Sequence, residues 1–449
     1  MNEWFHSLLG QIAMPLTLRV TLGAGLLGAT AGMVGAYAVL RRRALLGDVL
    51  AHAALPGVCL AFLLTGLRET HTLALGALAT SVASVFCVAQ MVRWTRTRQD
   101  AAMGVVLSTF FGFGVVLLTV IQASADGSQA GLDSYLFGEI ASLRSSDIVT
   151  LAIATLMVAI ACCLMHKELK LFCFDEGFAR SIGRPTLWLD FAVMAAVAVV
   201  VVLGLPVCGV VLIAALLIFP AAGARYWTNQ LSLVVLLSAL IGAAAGGVGV
   251  LLASPALEAD SVLGRLVRDA DGGLPPPGPV IVLTGSALFL ASVLLAPSRG
   301  VLAASWRQAR LRSRVQRDHL LRSIYELNEP TGELERRVPL TELANRYRAD
   351  RWTSWRTLAR AERAGLIDTP GEEVALTARG AAEAVRLTRV HRLWEVFLVR
   401  HADIAADHVD RPADEIEHAL PEELIQRLES ELASDGRLPV PASPHVIER

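Results

Sequence analysis

Charge is scarce in this chain. Of its 449 residues only 18 % are Asp, Glu, Lys or Arg, against about a quarter in soluble globular proteins. The net charge of −1 excludes any argument from a global field, so only local charge patterns carry information. Cysteine is scarce too. The six lie at 59, 87, 162, 163, 173 and 208, and their placement offers neither a disulfide framework nor a thiolate metal site. No G-x-x-x-x-G-K-[ST] phosphate loop is present, which excludes ATP hydrolysis by that route. There is no H-E-x-x-H either, which counts against a membrane metalloenzyme built on Asp48, His52 and Glu139. The first residues show no basic region and no small-residue cleavage site before the first long apolar run, so no cleavable leader is expected.

What is abundant is apolar sequence, at 54 % of residues, most of it before Ala296. Crossing the hydrocarbon core takes about 20 apolar helical residues. Spans are predicted near 16–40, 45–66, 72–92, 101–122, 147–166, 187–204, 207–224, 231–253 and 279–296. Basic residues follow the odd-numbered spans: Arg41 to Arg43, Arg93 to Arg98, Lys167 to Arg184, Arg225, and the run from Arg299 to Arg317. Positive loops stay inside. The expectation is therefore an all-α, multi-pass cell (inner or plasma) membrane domain over 1–297, with its N-terminus outside and everything after the ninth span cytosolic. Two outer loops are irregular. Leu132–Ile140 has the character of a re-entrant piece, and Leu274-Pro-Pro-Pro-Gly-Pro279 is a hard helix break.

The segment LRRRALLGDVLAHAALPGVCLAFLL, 40–64, places Asp48 and His52 four residues apart, on one helix face. Ionisable groups in lipid are expensive and are function candidates by default. Pro56 and Gly57 interrupt the same helix, as in many transport sites. Carboxylate plus imidazole suits a borderline divalent cation. The competing reading is that Asp48 caps the helix start while His52 satisfies a backbone carbonyl. Farther on, KELKLFCFDEGFARSIGRPT, 167–186, carries an N-cap at Asp175, Arg180 in the last turn, Gly183 at the C-terminal cap and Pro185 as a stop. A short interfacial helix is predicted there.

LRRRALLGDVLAHAALPGV, YLFGEIASL (135–143), FDEGFARSIGRP (174–185) and LIFPAAGARYW (217–227) occur in an order that resembles the permease subunits of ABC importers for manganese, zinc or iron. The resemblance implies a dimeric permease, the second copy being identical or a sibling. It also implies a separate ABC ATPase subunit and an extracytoplasmic metal-binding protein. Asp48 and His52 then become candidate pathway ligands. Asp175, Glu176, Phe178, Ala179, Arg180 and Gly183 become the coupling helix that docks on the ATPase.

After a basic linker at 298–316 the chain turns polar. Residues 317–380 read as a winged helix-turn-helix: a first helix from 317, a second capped at Thr341, a third ending at Gly365, then a turn at Asp368-Thr-Pro-Gly371 and a strand Glu373–Leu376. The third helix offers Arg351, Thr353, Ser354, Arg356 and Arg360 to DNA phosphates and base edges, or presents a solvated or protein-binding basic face. Over 381–436 two helices carry His391 with Glu395, and Asp414 with Glu417 and His418, at helical spacing. Oxygen and imidazole without sulfur favour Mn2+ or Fe2+, with Zn2+ as the alternative; surface salt bridging is the bland reading. Residues 437–449 are expected to be a disordered tail.

The run LTARGAAEAVRLTRVHRLWEVFLV, followed by ADEIEHALPEELIQRLE, resembles the dimerisation and metal-sensing domain of the diphtheria-toxin-repressor and manganese-regulator family. In that family the first helix also contributes ligands. Those positions fall at His319 and at Arg322, which cannot ligate a cation. The expected whole is a divalent-metal importer permease carrying a metal-responsive, repressor-like tail. The alternative is a tail that senses metal to inhibit transport, or merely dimerises, without binding DNA.

Overall fold

A computed structural model describes residues 16–66, 70–123, 143–253, 277–347 and 351–401, with Glu423 and Gln426. The chain divides into two compact units, Met1–Ala304 and Ser305–Arg449.

The first unit is a helical bundle. Its helices are α1 (Leu16–Leu40), α2 (Leu46–Thr65), α3 (Thr70–Trp94), α4 (Gln99–Ala123), α5 (Ser145–Leu164), α6 (His166–Phe174), α7 (Glu176–Ser181), α8 (Thr186–Trp227), α9 (Leu231–Leu252) and α10 (Pro277–Leu295). Eight described helices are long and apolar enough to cross a membrane, and Leu212–Trp227 is a shorter apolar helix. Leu75, Phe86, Leu156 and Met157 are all exposed, as suits side chains that meet lipid rather than water.

The sixth and seventh predicted spans are the two arms of α8. Gly209, at φ 73° and ψ 172°, breaks the helix, a conformation glycine reaches without a Cβ penalty. A Cβ at Gly204 would lie 2.6 Å from Cδ1 of Ile213. Nine residues of straight helix would separate those positions by about 13 Å, so the second arm doubles back. Leu189 and Val193 of the first arm accordingly share a core cluster with Ala221 and Ala224 of the second.

Small residues set the centre of the bundle. A Cβ at Gly28 would fall on the Gly242 carbonyl, one at Gly32 on Ser238, and one at Gly246 on Ala24. Two antiparallel backbones, α1 and α9, thus meet directly, the close packing that small residues permit between membrane helices. The same contact recurs at Gly57 and Gly76, which join α2 to α3.

The second unit holds α11 (Val301–Asn328) from Ser305 onward, a 3-10 turn (Glu329–Thr331), β1 (Val338–Pro339), α12 (Leu340–Arg346), α13 (Arg351–Arg363), β2 (Ile367–Asp368), β3 (Glu373–Leu376) and α14 (Ala378–His401). The sheet is antiparallel in the order β1-β3-β2, pairing Val338 with Val374 and Ile367 with Leu376. Alternate residues of β3, Val374 and Leu376, point into a core formed with Leu320, Leu321, Ile324, Leu343 and Ala361. This is a winged helix. The second of its three helices starts at Leu340 behind Pro339, not at a Thr341 cap, because Pro339 already fixes the entry backbone. Thr377 caps α14: its Oγ1 accepts from the Gly380 amide at 3.0 Å.

Candidate functional site

The tight α1–α2 corner is made by Arg41, Arg42 and Arg43, with Arg42 at φ 58°. The flanking arginines are anchored. Arg41 lies over the Phe172 ring at 3.9 Å, donates to the Phe172 carbonyl at 3.2 Å and pairs with Glu176 at 2.7 Å. Arg43 donates to Asp190 at 2.6 Å. The hydrogen bond from Arg41 holds the Glu176 carboxyl below the usual glutamate range. The corner is therefore tied to α6, α7 and the start of α8.

In the first turn of α2 stands Asp48, and one turn deeper stands His52. Their facing atoms, Oδ1 and Nε2, are 3.4 Å apart. The helix N-cap is Leu45, which supplies no side-chain cap, and Asp48 is the acid of the first turn. His52 packs edge-on against Phe111 of α4, with ring centroids 4.7 Å apart, and its Nδ1 is buried without a hydrogen-bond partner. An orphaned polar atom in such a place is costly and calls for an explanation. Pro56 and Gly57 do not interrupt the helix, which runs on to Thr65; Pro56 leaves the His52 carbonyl without its helix hydrogen bond, and Gly57 packs on α3.

The segment 174–185 folds as expected. Asp175 Oδ1 accepts from the Phe178 amide at 2.8 Å, and Gly183 has φ 78°. Ala179 is buried, whereas Phe178 on α7 and Ile182 just after it are exposed. Arg180 pairs with Glu176 at 2.8 Å.

In the second unit α13 carries four arginines and a single acid, Glu362. Arg356 and Arg360 line a groove with Ser305, Gln308, Arg312 and Ser313 of α11, and Arg360 donates to Ser313 Oγ at 2.8 Å. Arg351, Thr353 and Ser354 lie on the first turn of the same helix. On α14, His391 and Glu395 are fully buried, with Nε2 and Oε1 3.3 Å apart. Arg322 of α11 reaches the histidine: its Nη1 is 2.7 Å from His391 Nδ1. His319 lies one turn before Arg322. Asp414, Glu417 and His418 fall outside the described residues, as does the re-entrant segment. Among the described residues no group of three or more His, Cys, Asp or Glu side chains gathers as a metal centre.

The ABC 3 transport family matches residues 13–263, and the metal binding and dimerisation domain of iron-dependent repressors matches 377–435. The manganese transport system membrane protein MntC of Bacillus subtilis is 35 % identical over 97 % of this chain and 96 % of its own length. The chain belongs to the ABC 3 transport family. The zinc transport system membrane protein TroC of Treponema pallidum is 36 % identical over 68 % of this chain and 97 % of its own. A solved structure of PsaBC from Streptococcus pneumoniae, in complex with a Fab, is 27 % identical, covers 68 % of this chain and all of its own, and has a TM-score of 0.54. This ABC 3 chain is therefore a multi-pass membrane permease with a repressor-like C-terminal domain.

Helical spacing brings Asp48 to His52 and His391 to Glu395. Sequence reasoning missed Asp190 and Phe111. An acid four residues into an apolar span was the available signal for Asp190. Nothing in the linear pattern marked Phe111, which reaches His52 only by the packing of α4 on α2.

Proposed function

We propose that this chain is the translocation subunit of an ATP-driven importer for a first-row divalent cation, manganese first, with iron or zinc as the other candidates. The observation that carries the reading is the Asp48–His52 pair, a part-exposed carboxylate and an imidazole 3.4 Å apart at the start of a membrane-spanning helix, with His52 Nδ1 buried and unpartnered. A passing cation would take Asp48 as its hard oxygen donor and a His52 nitrogen as its borderline donor. The names of the relatives, manganese and zinc transport proteins, support the same cargo class.

With no phosphate loop of its own, the chain needs an ABC ATPase subunit. α7 is the coupling helix, with Phe178 and the outer face around Asp175, Arg180 and Gly183 meeting that partner. Glu176 and Arg41 link it to the corner that precedes Asp48. The other partners are an extracytoplasmic metal-binding protein and a second permease, in a cell membrane with the N-terminus outside and the tail in the cytosol. The test is uptake of radioactive manganese by cells expressing this chain with its ATPase. We expect ATP-dependent accumulation that excess unlabelled manganese suppresses more than zinc or iron does. Uptake no higher than in cells lacking the chain would end the proposal.

The tail is read as a winged-helix DNA-binding module that contacts phosphates and bases through Arg351, Thr353, Ser354, Arg356 and Arg360. Its support is the arginine-rich α13 with one acid. Formaldehyde cross-linking of the intact chain in living cells tests surface and sidedness together. Specific DNA fragments should be recovered, and Arg356→Ala with Arg360→Ala should reduce recovery about tenfold or more, since each lost contact costs roughly 1 kcal/mol or more. Recovery of no DNA from the unaltered chain would leave the alternative, a tail that regulates or dimerises the permease.

A further inference from the structure

A repressor-type metal domain implies a divalent cation between its long helix and its first helix. The described residues do not fit one at His391. An arginine has five N–H donors, no acceptor and no neutral form. Its contact of 2.7 Å with His391 Nδ1 therefore makes that nitrogen the acceptor. The ring proton then sits on Nε2, which faces Glu395 Oε1 at 3.3 Å. The lone pair that a metal would need is already taken. A ligand nitrogen holds zinc at about 2.0–2.1 Å, so the ion would have to displace the guanidinium. The far side of Arg322 is held as well: its Nε is 3.4 Å from Glu326, which also pairs with Arg346 of α12 at 2.6 Å. Arg322 is nine-tenths buried, which is tolerable only for a paired charge.

We infer that Arg322 is a tethered cation that stands in for the metal at His391, latching α11 and α12 to α14 whether or not divalent metal is present. The tail would hold its winged helix on the long helix permanently, where a metal-filled site would make that attachment conditional.

Hydrogen–deuterium exchange on the full chain in nanodiscs tests this, read in peptides covering 318–328 and 387–399, in EDTA and in saturating MnCl2. The unaltered chain should exchange equally slowly in both. Arg322→Met removes the charge without adding a ligand, and both peptides should exchange about 100-fold faster in either condition, as expected when one member of a buried charged pair is deleted. Arg322→Glu turns the position into a ligand, so its exchange should be fast in EDTA and slow again in MnCl2. Protection that appears in the unaltered chain only with manganese would overturn the inference, and so would unchanged exchange in Arg322→Met.

Discussion

Replacing Asp48 or His52 with alanine should lower manganese uptake by at least about 100-fold, with the chain still present in the membrane at its usual level. Loss of even an outer-shell partner of a metal ligand costs about 10–100-fold, and these residues are proposed to touch the ion itself. The expectation is sharpened by what the two side chains do not do. The helix start takes no side-chain cap hydrogen bond, so losing Asp48 costs α2 only the dipole contribution of one first-turn acid, about 0.3–1 kcal/mol. His52 touches Phe111 by an edge-on ring contact that Phe or Leu could replace. Truncation should therefore remove ligands from the bundle rather than supports. His52→Leu, which fills the ring's space without a nitrogen, separates packing from ligation and should be as inactive as His52→Ala. If His52→Leu transported normally, the pathway assignment would fail whatever the other variants did.

A leucine at Gly28 should have the opposite profile and remove the protein itself. The new Cβ would occupy the place of the Gly242 carbonyl, and the remaining side-chain atoms would force α1 and α9 apart. Overpacking a core costs about 1–3 kcal/mol when side chains can yield, and a backbone carbonyl cannot. We expect at least about 3 kcal/mol of destabilisation, seen as near-complete loss of folded chain in detergent and a collapsed thermal transition. Gly242→Leu should match it, since the contact is mutual. Gly112→Leu on α4 is the control: nothing lies within 4 Å of its Cβ position, and the chain should stay folded. Equal yields from Gly28→Leu and Gly112→Leu would show that α1 and α9 do not pack as described.

Composition and period alone determined that this is a membrane helix bundle followed by a polar tail. Each apolar run must satisfy its own backbone in lipid, and only a helix of that length can do so. Helical spacing likewise determined that Asp48 faces His52 and that His391 faces Glu395, because four residues is one turn. The α7 cap at Asp175 and Gly183 was legible for the same reason: caps are local chemistry.

Contacts between segments far apart in sequence were decided only by tertiary structure. The reversal of α8 at Gly209 required one glycine among many to take a positive φ. Arg41, Arg43 and Phe111 acquired their partners across 131 and 147 residues, and from a separate helix. Most telling is Arg322. Sequence could mark it as a residue unable to bind metal, but could not say that its guanidinium reaches His391, 69 residues away, and takes the lone pair. Periodicity reports which face of a helix a residue occupies; what stands opposite that face depends on how the helices pack.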